Sequence, residues 1–538
     1  MPKLKLKTAE KEVRTRIAPS PTGFLHVGTA RATLFNYLFA KNNKGSFVLR
    51  IEDTDLERSD PAFEKDIIDN LKWLGIEWDE GPDIGGPHAP YRQSQRTESY
   101  TEYLEKLLKE NKIYHCFCSE EELEAHRQYQ MSIGQPPIYS GKCRSFSKEE
   151  AEKKIAEGKK SIIRFKAPPG QKITFLDLIR GEITFDSDLI GDFSLAKNLN
   201  TPLYNFAVVI DDFTMEINYV IRGEDHISNT PKQILLQKAL GFPEPKYAHL
   251  PLILGSDRTK LSKRHGTISV SEYRKDGYLP EALVNLMAFL GWNPGGEREI
   301  YAIPSLVKEF SLERVQRGGA VFNIKKLDSL NGFYIRQKSL ERLTELCLPY
   351  LIEAGFIEEC KNNPANPGKK VTPGKLKLFE EKKPRYKIKA TGESIDLDYL
   401  EKIIAIYQER LKKLSEIKDL ADFFFKDKLE YNKELLKWKE MDDNEIRGSL
   451  SRLDKLLSEI EAKDWTKENL EKEIMPEAEK TGLPAIASAK AGDRGRLLWP
   501  WRVALTGKES SAGPFEIAGI LGKERTLKRL KEAKSLLK

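Results

Sequence analysis

Apolar and polar positions at the start of the chain predict a strand, a helix and a second strand. Val13 to Ala18 suit a short strand, and apolar residues then recur with helical spacing after a turn rich in Pro, Thr and Gly. The apolar run Phe47 to Ile51 predicts the second strand. Such a β-α-β unit is right-handed with parallel strands, and ligands bind outside the carboxyl ends of those strands. Polar residues at these ends predict a nucleotide site: Arg16, Ser20, His26 and Glu52.

Apolar runs near the middle of the chain predict that the parallel sheet resumes there. The continuous run Phe206 to Ile210 predicts a fully buried parallel strand that ends at two aspartates. Asn218 to Ile221 predicts another strand, and Thr230 to Leu240 predicts the helix that follows it. Short alternating runs before this segment are typical of a small β-rich region. We therefore predict a domain of residues 116–204 inserted into the sheet.

The remainder of the chain, beyond Gly277, shows mainly helical periodicity. Residues 360–396 break this pattern with a tract that is rich in Pro, Gly and Lys and poor in apolar residues. Such a composition predicts a flexible insertion. Helical periodicity returns at Leu397, so we expect an all-helical, lysine-rich C-terminal half.

Length and charge restrict the class of protein. The 538 residues are too many for one hydrophobic core, so several domains are expected. The net charge of +7 suits a polyanionic partner, although solvated surface lysines explain so mild an excess as well. No apolar run reaches membrane-spanning length, and the N-terminal sequence MPKLKLKTAEKE lacks a secretory apolar region. We expect a cytoplasmic protein without a membrane partner.

Three of the five cysteines lie close together in the sequence and predict a metal site. Thiolates bind Zn²⁺ tetrahedrally, and a phenolate oxygen can complete the ligand set where a fourth Cys is missing. His115 and His126 are alternative ligands, and three buried cysteines without a metal are the alternative to zinc. The zinc would be structural, because nothing beside it looks catalytic. The predicted ligands are Cys116, Cys118, Tyr139 and Cys143.

Three motifs follow one another along the predicted sheet: PSPTGFLHVG at the first strand-to-helix turn, RIEDTD after the second strand, and KLSKR on a later polar loop. Gly23 and Gly28 let a backbone approach a nucleotide, and the helix after His26 offers its positive N-terminus to phosphates. Lys260 and Lys263 on the later loop suit anions. A solvated basic loop is the commoner explanation for such a string taken alone.

In combination, these motifs resemble those of the class I aminoacyl-tRNA synthetases. Their exact residues are similar to those of the glutamyl-tRNA synthetase family. His26-Val27-Gly28-Thr29 matches the HIGH signature, and the segment from Lys260 to Arg264 matches the KMSKS signature. The resemblance continues through VIRGEDHISNTP, YLPEALVNLMAFLGW, LLWPWRVALTG and PFEIAGILGKERTL. It covers nearly the whole chain except residues 360–396.

This resemblance implies an α/β fold built around a split, Rossmann-like catalytic domain with a parallel sheet. Residues 1–115 and 205–270 would form its two halves, with the KLSKR loop in the second. The α+β insertion, residues 116–204, would bind the acceptor end of tRNA. Residues 271–340 would be a helical stem-contact domain, and residues 341–538 an all-helical anticodon-binding domain.

The implied activity has two steps. L-Glutamate would react with ATP, carried with Mg²⁺, to give glutamyl-adenylate and pyrophosphate, and glutamate would then pass to the 3′-terminal adenosine of tRNA(Glu). The protein would act as a monomer, with His26 and Lys263 as catalytic residues. The implied ATP site comprises Ser20, Gly23, His26, Gly28, Lys260 and Lys263. The implied glutamate site comprises Arg16, Ser20, Glu52, Tyr204 and Arg222.

Each assignment that the resemblance implies also has a physical reason. Both reactants are already reactive, so the protein needs no nucleophile and must bring two anions together while stabilising charge on phosphate oxygens. An Arg fork binds a carboxylate at two points, and a carboxylate at a strand end attracts an amine. The alternatives are ordinary ion pairs: Arg222 with Glu224 or Asp225, and Glu52 with Arg50.

The sequence departs from the family pattern at two positions. Tyr219 stands where a His or Asp often precedes VIRGED, so no role is assigned to it. Ser145 stands where some members have a His, which moves the expected fourth zinc ligand to Tyr139.

Three other functions share part of this pattern. The shorter paralogue that glutamylates a modified tRNA base lacks an anticodon module, so the long C-terminal region argues against it. A non-catalytic tRNA-binding relative should have lost His26 or Lys263, and both are present. A general nucleotidyltransferase would lack the LSKRHG loop and the RNA-binding modules.

Overall fold

The chain divides into two compact units. The first contains the residues up to Lys275 together with Leu279–Leu330, and the second contains Asp276–Tyr278 and the residues from Asn331 onward. The computed structural model describes residues 12–55, 57–266, 268–360, 386–480 and 494–537.

The elements of the first unit follow in chain order: β1 (Arg14–Ile17), α1 (Val27–Asn42), β2 (Ser46–Leu49), α2 (Pro61–Trp73), α3 (Thr97–Lys109), β3 (Ile113–Cys116), α4 (Glu120–Ser132), α5 (Lys148–Ala156), β4 (Ile162–Phe165), β5 (Lys172–Asp177), β6 (Gly181–Asp186), α6 (Ser187–Ile190), β7 (Ser194–Asn198), β8 (Thr201–Pro202), α7 (Tyr204–Thr214), β9 (Tyr219–Gly223), α8 (Thr230–Leu240), β10 (Lys246–Leu250), β11 (Ile253–Leu254), α9 (Val270–Lys275), α10 (Pro280–Phe289), α11 (Ile303–Glu309) and β12 (Ala320–Val321). Helix α12 (Ile324–Arg336) crosses the division between the units. The second unit continues with α13 (Leu340–Glu353), β13 (Ile357–Glu359), β14 (Tyr386–Ile388), β15 (Ser394–Ile395), α14 (Leu397–Ala405), α15 (Ile417–Ala421), α16 (Asp443–Glu459), α17 (Lys467–Lys480), α18 (Gly495–Thr506) and α19 (Pro514–Ser535).

The first β-α-β unit forms as the sequence predicts. Strands β1 and β2 pair in parallel, from Arg14 opposite Ser46 to Ile17 opposite Leu49, with α1 between them in the chain. The apolar residues with helical spacing account for α1, because Ala30, Leu34, Phe35 and Leu38 are fully buried.

The main sheet of the first unit has the strand order β2-β1-β9-β10-β5-β6. Its first five strands pair in parallel, and β6 returns antiparallel to β5. The parallel sheet predicted from the sequence is therefore confirmed. Strands β5 and β6 lie within the segment predicted to be an insertion, and they extend this sheet through a pairing of Asp177 with Tyr247. A second, antiparallel sheet has the order β3-β4-β7-β8.

The prediction of a strand at Phe206 to Ile210 is wrong, because these residues lie in helix α7. A continuous apolar run fits a buried strand and a buried helix equally well, since neither element needs a polar face. Here every residue from Phe206 to Asp212 is buried. Strand β9 and helix α8 form where the sequence predicts them.

The described residues of the second unit are mainly helical, with one small sheet that the all-helical prediction missed. Strand β14 pairs antiparallel with β13 and with β15, placing Ile388 opposite Ile357 and Tyr386 opposite Ile395. The predicted flexible insertion of residues 360–396 is thus wrong for its last part, which forms two strands. Residues 361–385 of that tract lie outside the described residues.

The last helix of the chain, α19, bends at Gly522, whose φ of 79° lies in the left-handed region that favours glycine. Its sequence is rich in lysine and arginine and has short apolar stretches. Within the described residues, no helix combines the length and the apolar character needed to cross a lipid bilayer.

Candidate active site

A cavity of about 530 Å³ lies at the carboxyl ends of the parallel strands in the first unit. Its walls come from the ends of β1, β2, β9 and β10, from the start of α1 and from the loop before α9. Eight of the residues predicted from the sequence line it: Arg16, Ser20, His26, Gly28, Glu52, Tyr204, Arg222 and Lys260.

Two predicted residues are not brought to this cavity by the described structure. Gly23 is absent from the cavity lining, and a Cβ added there would meet nothing within 4 Å. The backbone of Lys263 lies in the 3-10 turn Lys263–His265, whereas its side chain lies outside the described part of the chain.

His26 caps the N-terminus of α1. Its Nδ1 accepts a hydrogen bond of 3.0 Å from the backbone N–H of Gly28, so Nδ1 is unprotonated and Nε2 carries the ring proton. Partial burial, which removes water from around the ring, is the main cause that lowers the pKa of His26, and the positive charge of Lys260 is the second. The side chain still reaches solvent. The ring is therefore a neutral hydrogen-bond donor at pH 7, placed at the positive end of the helix dipole.

Gly28 has a steric role that the sequence does not reveal. A Cβ at this position would lie 2.7 Å from His26 Cε1, closer than carbon atoms pack. The glycine therefore leaves room for the histidine ring that caps the same helix.

The part of the cavity wall that Arg16 and Glu52 form is backed by buried charges. Arg50 is fully buried, and its guanidinium donates to Glu52 Oε1 at 3.2 Å and to Asp212 Oδ1 at 2.8 Å. Arg16 donates from Nε to the same oxygen of Asp212 at 3.0 Å. The alternative pairing of Glu52 with Arg50 is thus present, and Glu52 still lines the cavity. Burial raises the pKa of Glu52, while the charges of Arg50 and Arg16 oppose this rise.

Arg222 makes neither of the ion pairs considered as its alternative role. Its Nε donates to His249 Nε2 at 3.2 Å, and its Nη2 donates to Thr230 Oγ1 at 2.8 Å. Its Nη1 is buried without a hydrogen-bond partner in the described part of the chain. Glu224 instead pairs with Arg180, and Asp225 lies 3.8 Å from Lys260 Nζ.

His226 is a cavity residue that the sequence analysis passed over. Its Nδ1 lies 3.0 Å from the hydroxyl of Tyr204, and both side chains line the cavity. Burial first, and then the charge of Arg222, lower the pKa of His226 to about 4, so the ring is neutral at pH 7. The VIRGEDHISNTP segment contained this residue, but no pattern in the sequence pointed to its pairing with Tyr204.

Asp212 and Arg50 were also missed as site residues. Asp212 was placed at the end of a predicted strand, whereas it lies on the last turns of α7 and faces two arginines. Only the three-dimensional arrangement reveals that Arg50 joins Asp212 to Glu52.

The loop that carries Lys260 is held by its own side chains. His265 Nε2 lies 3.0 Å from Asp257 Oδ1, and the backbone N–H of Ser262 donates to His265 Nδ1 at 3.1 Å. A Cβ at Gly255 would lie 2.5 Å from His265 Cδ2, so this glycine admits the ring. The histidine thus connects the two ends of the basic loop.

The three clustered cysteines lie together as the sequence predicts, and they could hold a metal ion. The sulfur atoms of Cys116, Cys118 and Cys143 all lie within 4.8 Å of one another. Cys118 Sγ and Cys143 Sγ are 3.7 Å apart. A tetrahedral ion with Zn–S bonds of about 2.3 Å separates its sulfur ligands by about 3.8 Å, so the spacing fits.

The hydroxyl of Tyr139 completes this cluster. It lies 3.3 Å from Cys116 Sγ and 3.4 Å from Cys118 Sγ. Neither His115 nor His126 belongs to the group, and His115 Nδ1 instead contacts Ser161 Oγ at 3.0 Å. Among the described residues, the donor set therefore consists of three thiols and a phenol.

Comparisons with known proteins agree with this site. A family model described as "tRNA synthetases class I (E and Q), catalytic domain" matches residues 12–329, and one described as "Anticodon binding domain" matches residues 342–534. The chain is 46% identical over 526 residues to glutamate–tRNA ligase 1 of Caldicellulosiruptor saccharolyticus, covering 96% of this chain and 98% of that protein. It is 44% identical over 519 residues to glutamate–tRNA ligase of Carboxydothermus hydrogenoformans, covering 96% and 99%.

Solved structures give the same result. The crystal structure of a glutamate tRNA ligase from Elizabethkingia meningosepticum in complex with its amino acid has a TM-score of 0.79 and 32% identity, and the match covers 98% of this chain and 100% of that one. Glutamate-tRNA synthetase from Elizabethkingia anophelis has a TM-score of 0.78 and 31% identity with the same coverage. The cavity, the signature motifs and these matches agree, and the chain belongs to the glutamate–tRNA ligase family of class I tRNA synthetases.

Proposed function

We propose that this chain is a glutamate–tRNA ligase, which activates L-glutamate with ATP and transfers it to the 3′-terminal adenosine of tRNA(Glu). The observation that carries the proposal is the cavity itself. It brings the guanidinium groups of Arg16 and Arg222 and the carboxylate of Glu52 together with a neutral histidine donor at a helix N-terminus. The relatives that this chain matches over nearly their full length are named glutamate–tRNA ligase.

The glutamate would lie between the two arginines. Arg16 and Arg222 supply forked donors for its carboxylates, and the buried Nη1 of Arg222 has no partner among the described residues that it would lose. Glu52 faces the ammonium group, because an amine is the complement of a carboxylate already anchored by Arg50. Tyr204 and Ser20 line the same pocket.

The triphosphate would lie at the start of α1. His26 donates from Nε2 to phosphate oxygens, and the helix N-terminus attracts the same charge. Lys260 lines the cavity, and Lys263 on the same loop would meet the pyrophosphate as it leaves. Gly28 leaves room for the His26 ring at the start of α1, and Gly23, in the turn before this helix, remains a proposed ATP contact. Mg²⁺, bound with ATP, supplies further charge neutralisation at the phosphates.

A structural Zn²⁺ would be held by three thiolates and a phenolate, which form a closed ligand set without a vacant position for substrate. Its role would be to fix the segment that contains α4, because this helix has no buried residue of its own. The proposed ligands are Cys116, Cys118, Tyr139 and Cys143.

Transfer RNA would contact several regions of the chain. Residues 116–204 would bind the acceptor end, and residues 271–340 the stem. Residues 341–538 would bind the anticodon, in agreement with the family model matched there. The lysine-rich second unit suits phosphate contacts.

The test is charging of tRNA(Glu) and tRNA(Gln) transcripts with radiolabelled glutamate, with glutamine and aspartate as competing amino acids. We expect ATP-dependent charging of tRNA(Glu) with glutamate. Glutamine or aspartate at equal concentration should not reduce the amount of radiolabelled glutamate attached. The tRNA(Gln) reaction measures how far the enzyme distinguishes the two tRNAs. Absence of glutamate charging on both transcripts would contradict the proposal.

A further inference from the structure

Arg222 is held along one edge of its guanidinium group. Its Nε donates to His249 Nε2 and its Nη2 donates to Thr230 Oγ1, at 3.2 and 2.8 Å. Thr230 also lies 3.1 Å from His249 Nε2, so the two partners contact each other. The remaining nitrogen, Nη1, is buried and without a partner among the described residues. Because the guanidinium group is planar, the two hydrogen bonds of Nε and Nη2 determine the direction in which Nη1 points.

His249 is in turn held by Asp177, and both side chains are completely buried. One carboxylate oxygen of Asp177 accepts from the backbone N–H and from Nδ1 of His249, at 3.0 and 2.7 Å. The other oxygen accepts from the backbone N–H groups of Ile179 and Arg180, at 2.9 and 2.8 Å. Four donors therefore fix this carboxylate at the end of β5.

The protonation state of His249 follows from its partners. An arginine Nε always donates, so His249 Nε2 must accept and carries no proton. Nδ1 must then donate to the Asp177 carboxylate, which makes the ring neutral with its proton on Nδ1. Burial, opposed by the hydrogen bond to Asp177, lowers the pKa of His249, in agreement with a neutral ring.

We propose that Asp177 and His249 are positioning residues, which orient the Arg222 guanidinium so that Nη1 meets a carboxylate of the substrate. This inference rests on the proposed function, because it assigns Arg222 to the binding of glutamate. Asp177 comes from β5, and His249 from β10, which pairs with β5 in the main sheet. The orientation of a substrate-binding arginine is thus set by residues 72 positions apart in the chain.

Two substitutions of His249 separate its two hydrogen bonds. In His249→Asn the amide takes the place of Nδ1, so the donor to Asp177 is kept and the acceptor for Arg222 is lost. In His249→Gln the amide reaches the place of Nε2, so the acceptor for Arg222 is kept. We expect His249→Asn to raise the KM for glutamate about 10- to 100-fold, the range for a lost hydrogen bond to a charged group.

The KM for ATP should change less than threefold in His249→Asn, and His249→Gln should recover most of the affinity for glutamate. His88→Asn is the matched control, because His88 also bonds through Nδ1, to the carbonyl of Thr214, but lies outside the cavity lining. Equal rises in the KM values for glutamate and ATP, or equal effects of Asn and Gln, would overturn the proposal.

A double-mutant cycle with Arg222→Lys tests whether His249 acts through Arg222. Lysine has no Nε–H for His249 to accept, so His249→Asn should raise the KM for glutamate less than twofold in that background. The same fold-change in both backgrounds would show that His249 affects glutamate binding by another route and would overturn the assignment.

The tautomer of His249 can be measured without any activity. The chain has seven histidines, so selective ¹⁵N labelling of histidine gives a simple spectrum in which His249→Asn identifies one signal. We expect a neutral ring with its proton on Nδ1, unchanged between pH 6 and pH 8. A ring protonated on Nε2 would overturn the arrangement, whereas absence of glutamate charging by the wild type would contradict only the proposed function.

Discussion

Arg50 is the residue on which the polar wall of the cavity depends. Its guanidinium is fully buried and lies within 3.6 Å of Asp211 and closer still to Asp212 and Glu52. Three carboxylates around one buried cation leave the cluster with a surplus of negative charge, which Arg16 and Arg96 reduce from either side. A cluster of this kind fixes the side chains that face the substrate.

Asp212→Asn should destabilise the first unit. Burial alone would raise the pKa of Asp212, but the charges of Arg16 and Arg50 lower it below its ordinary value. The carboxylate therefore stabilises the fold above about pH 4, and this contribution is lost as the pH falls through the folded-state pKa. We expect a loss of about 3 kcal/mol at pH 7, because one partner of a buried ion pair is removed.

The melting temperature of Asp212→Asn, compared with wild type at pH 7 and at successively lower pH, checks this expectation. The difference should shrink below about pH 4, where Asp212 of the unfolded wild-type chain begins to take up a proton, and should be lost below the lower folded-state pKa. Glu152→Gln is the control, since Glu152 is exposed and lies 3.7 Å from Lys148, and its melting temperature should match the wild type. A difference that grows on acidification would contradict the argument.

Lys263→Ala should slow formation of glutamyl-adenylate by about 10²- to 10³-fold, the loss found when one group that stabilises transition-state charge is removed. The measurement is the single-turnover rate with tRNA present. Lys275→Ala, an exposed lysine in α9, is the control and should leave the rate unchanged. An unchanged single-turnover rate in Lys263→Ala would remove this residue from the mechanism.

Motifs in the sequence predict which residues approach the cavity, but not what holds them. The turn around His26 and the carboxylate of Glu52 could be predicted because they follow β1 and β2, which periodicity reveals. The partner His249 could not, since the pairing of β9 with β10 places it opposite Arg222, 27 positions away. Contacts between distant segments leave no local pattern in a single sequence.

At the scale of elements, the difference between α1 and α7 explains what periodicity can predict. Helix α1 follows a turn whose residues and capping histidine mark its beginning. Helix α7 has no side-chain cap, and Leu203 precedes it with an extended backbone. Its apolar run carries no period because the helix is buried on nearly all sides, so the sequence suggested a strand.

The cysteine cluster is an element that a metal would stabilise. Wild-type protein should contain about one Zn²⁺ per chain, and Cys143→Ser should lose it together with several degrees of melting temperature. Elemental analysis after gel filtration is the measurement. Cys360→Ser is the control, because Cys360 lies outside the cluster. Wild-type protein that is carefully purified and free of zinc would end the hypothesis.

At the scale of the whole molecule, a basic chain that binds tRNA should do so in a salt-dependent way. The net charge is +7, with 89 lysines and arginines. If the protein neutralises even two phosphates, the KM for tRNA should rise about tenfold when the salt concentration is raised from about 50 to about 200 mM. We expect the KM values for glutamate and ATP to rise far less. Steady-state charging at several salt concentrations measures all three, and equal salt dependence would argue against phosphate contacts.

The order of strands in the main sheet has a consequence for synthesis on the ribosome. Strand β1 lies between β2 and β9, and Arg14 bonds to Asn218, which is 204 positions later. At about 5 to 20 residues per second, β1 waits roughly 10 to 40 s for its second neighbour to emerge. Throughout that time the nascent chain presents an open strand edge, which is a template for pairing with other chains. Protection of this edge until β9 arrives should therefore reduce aggregation of the newly made protein.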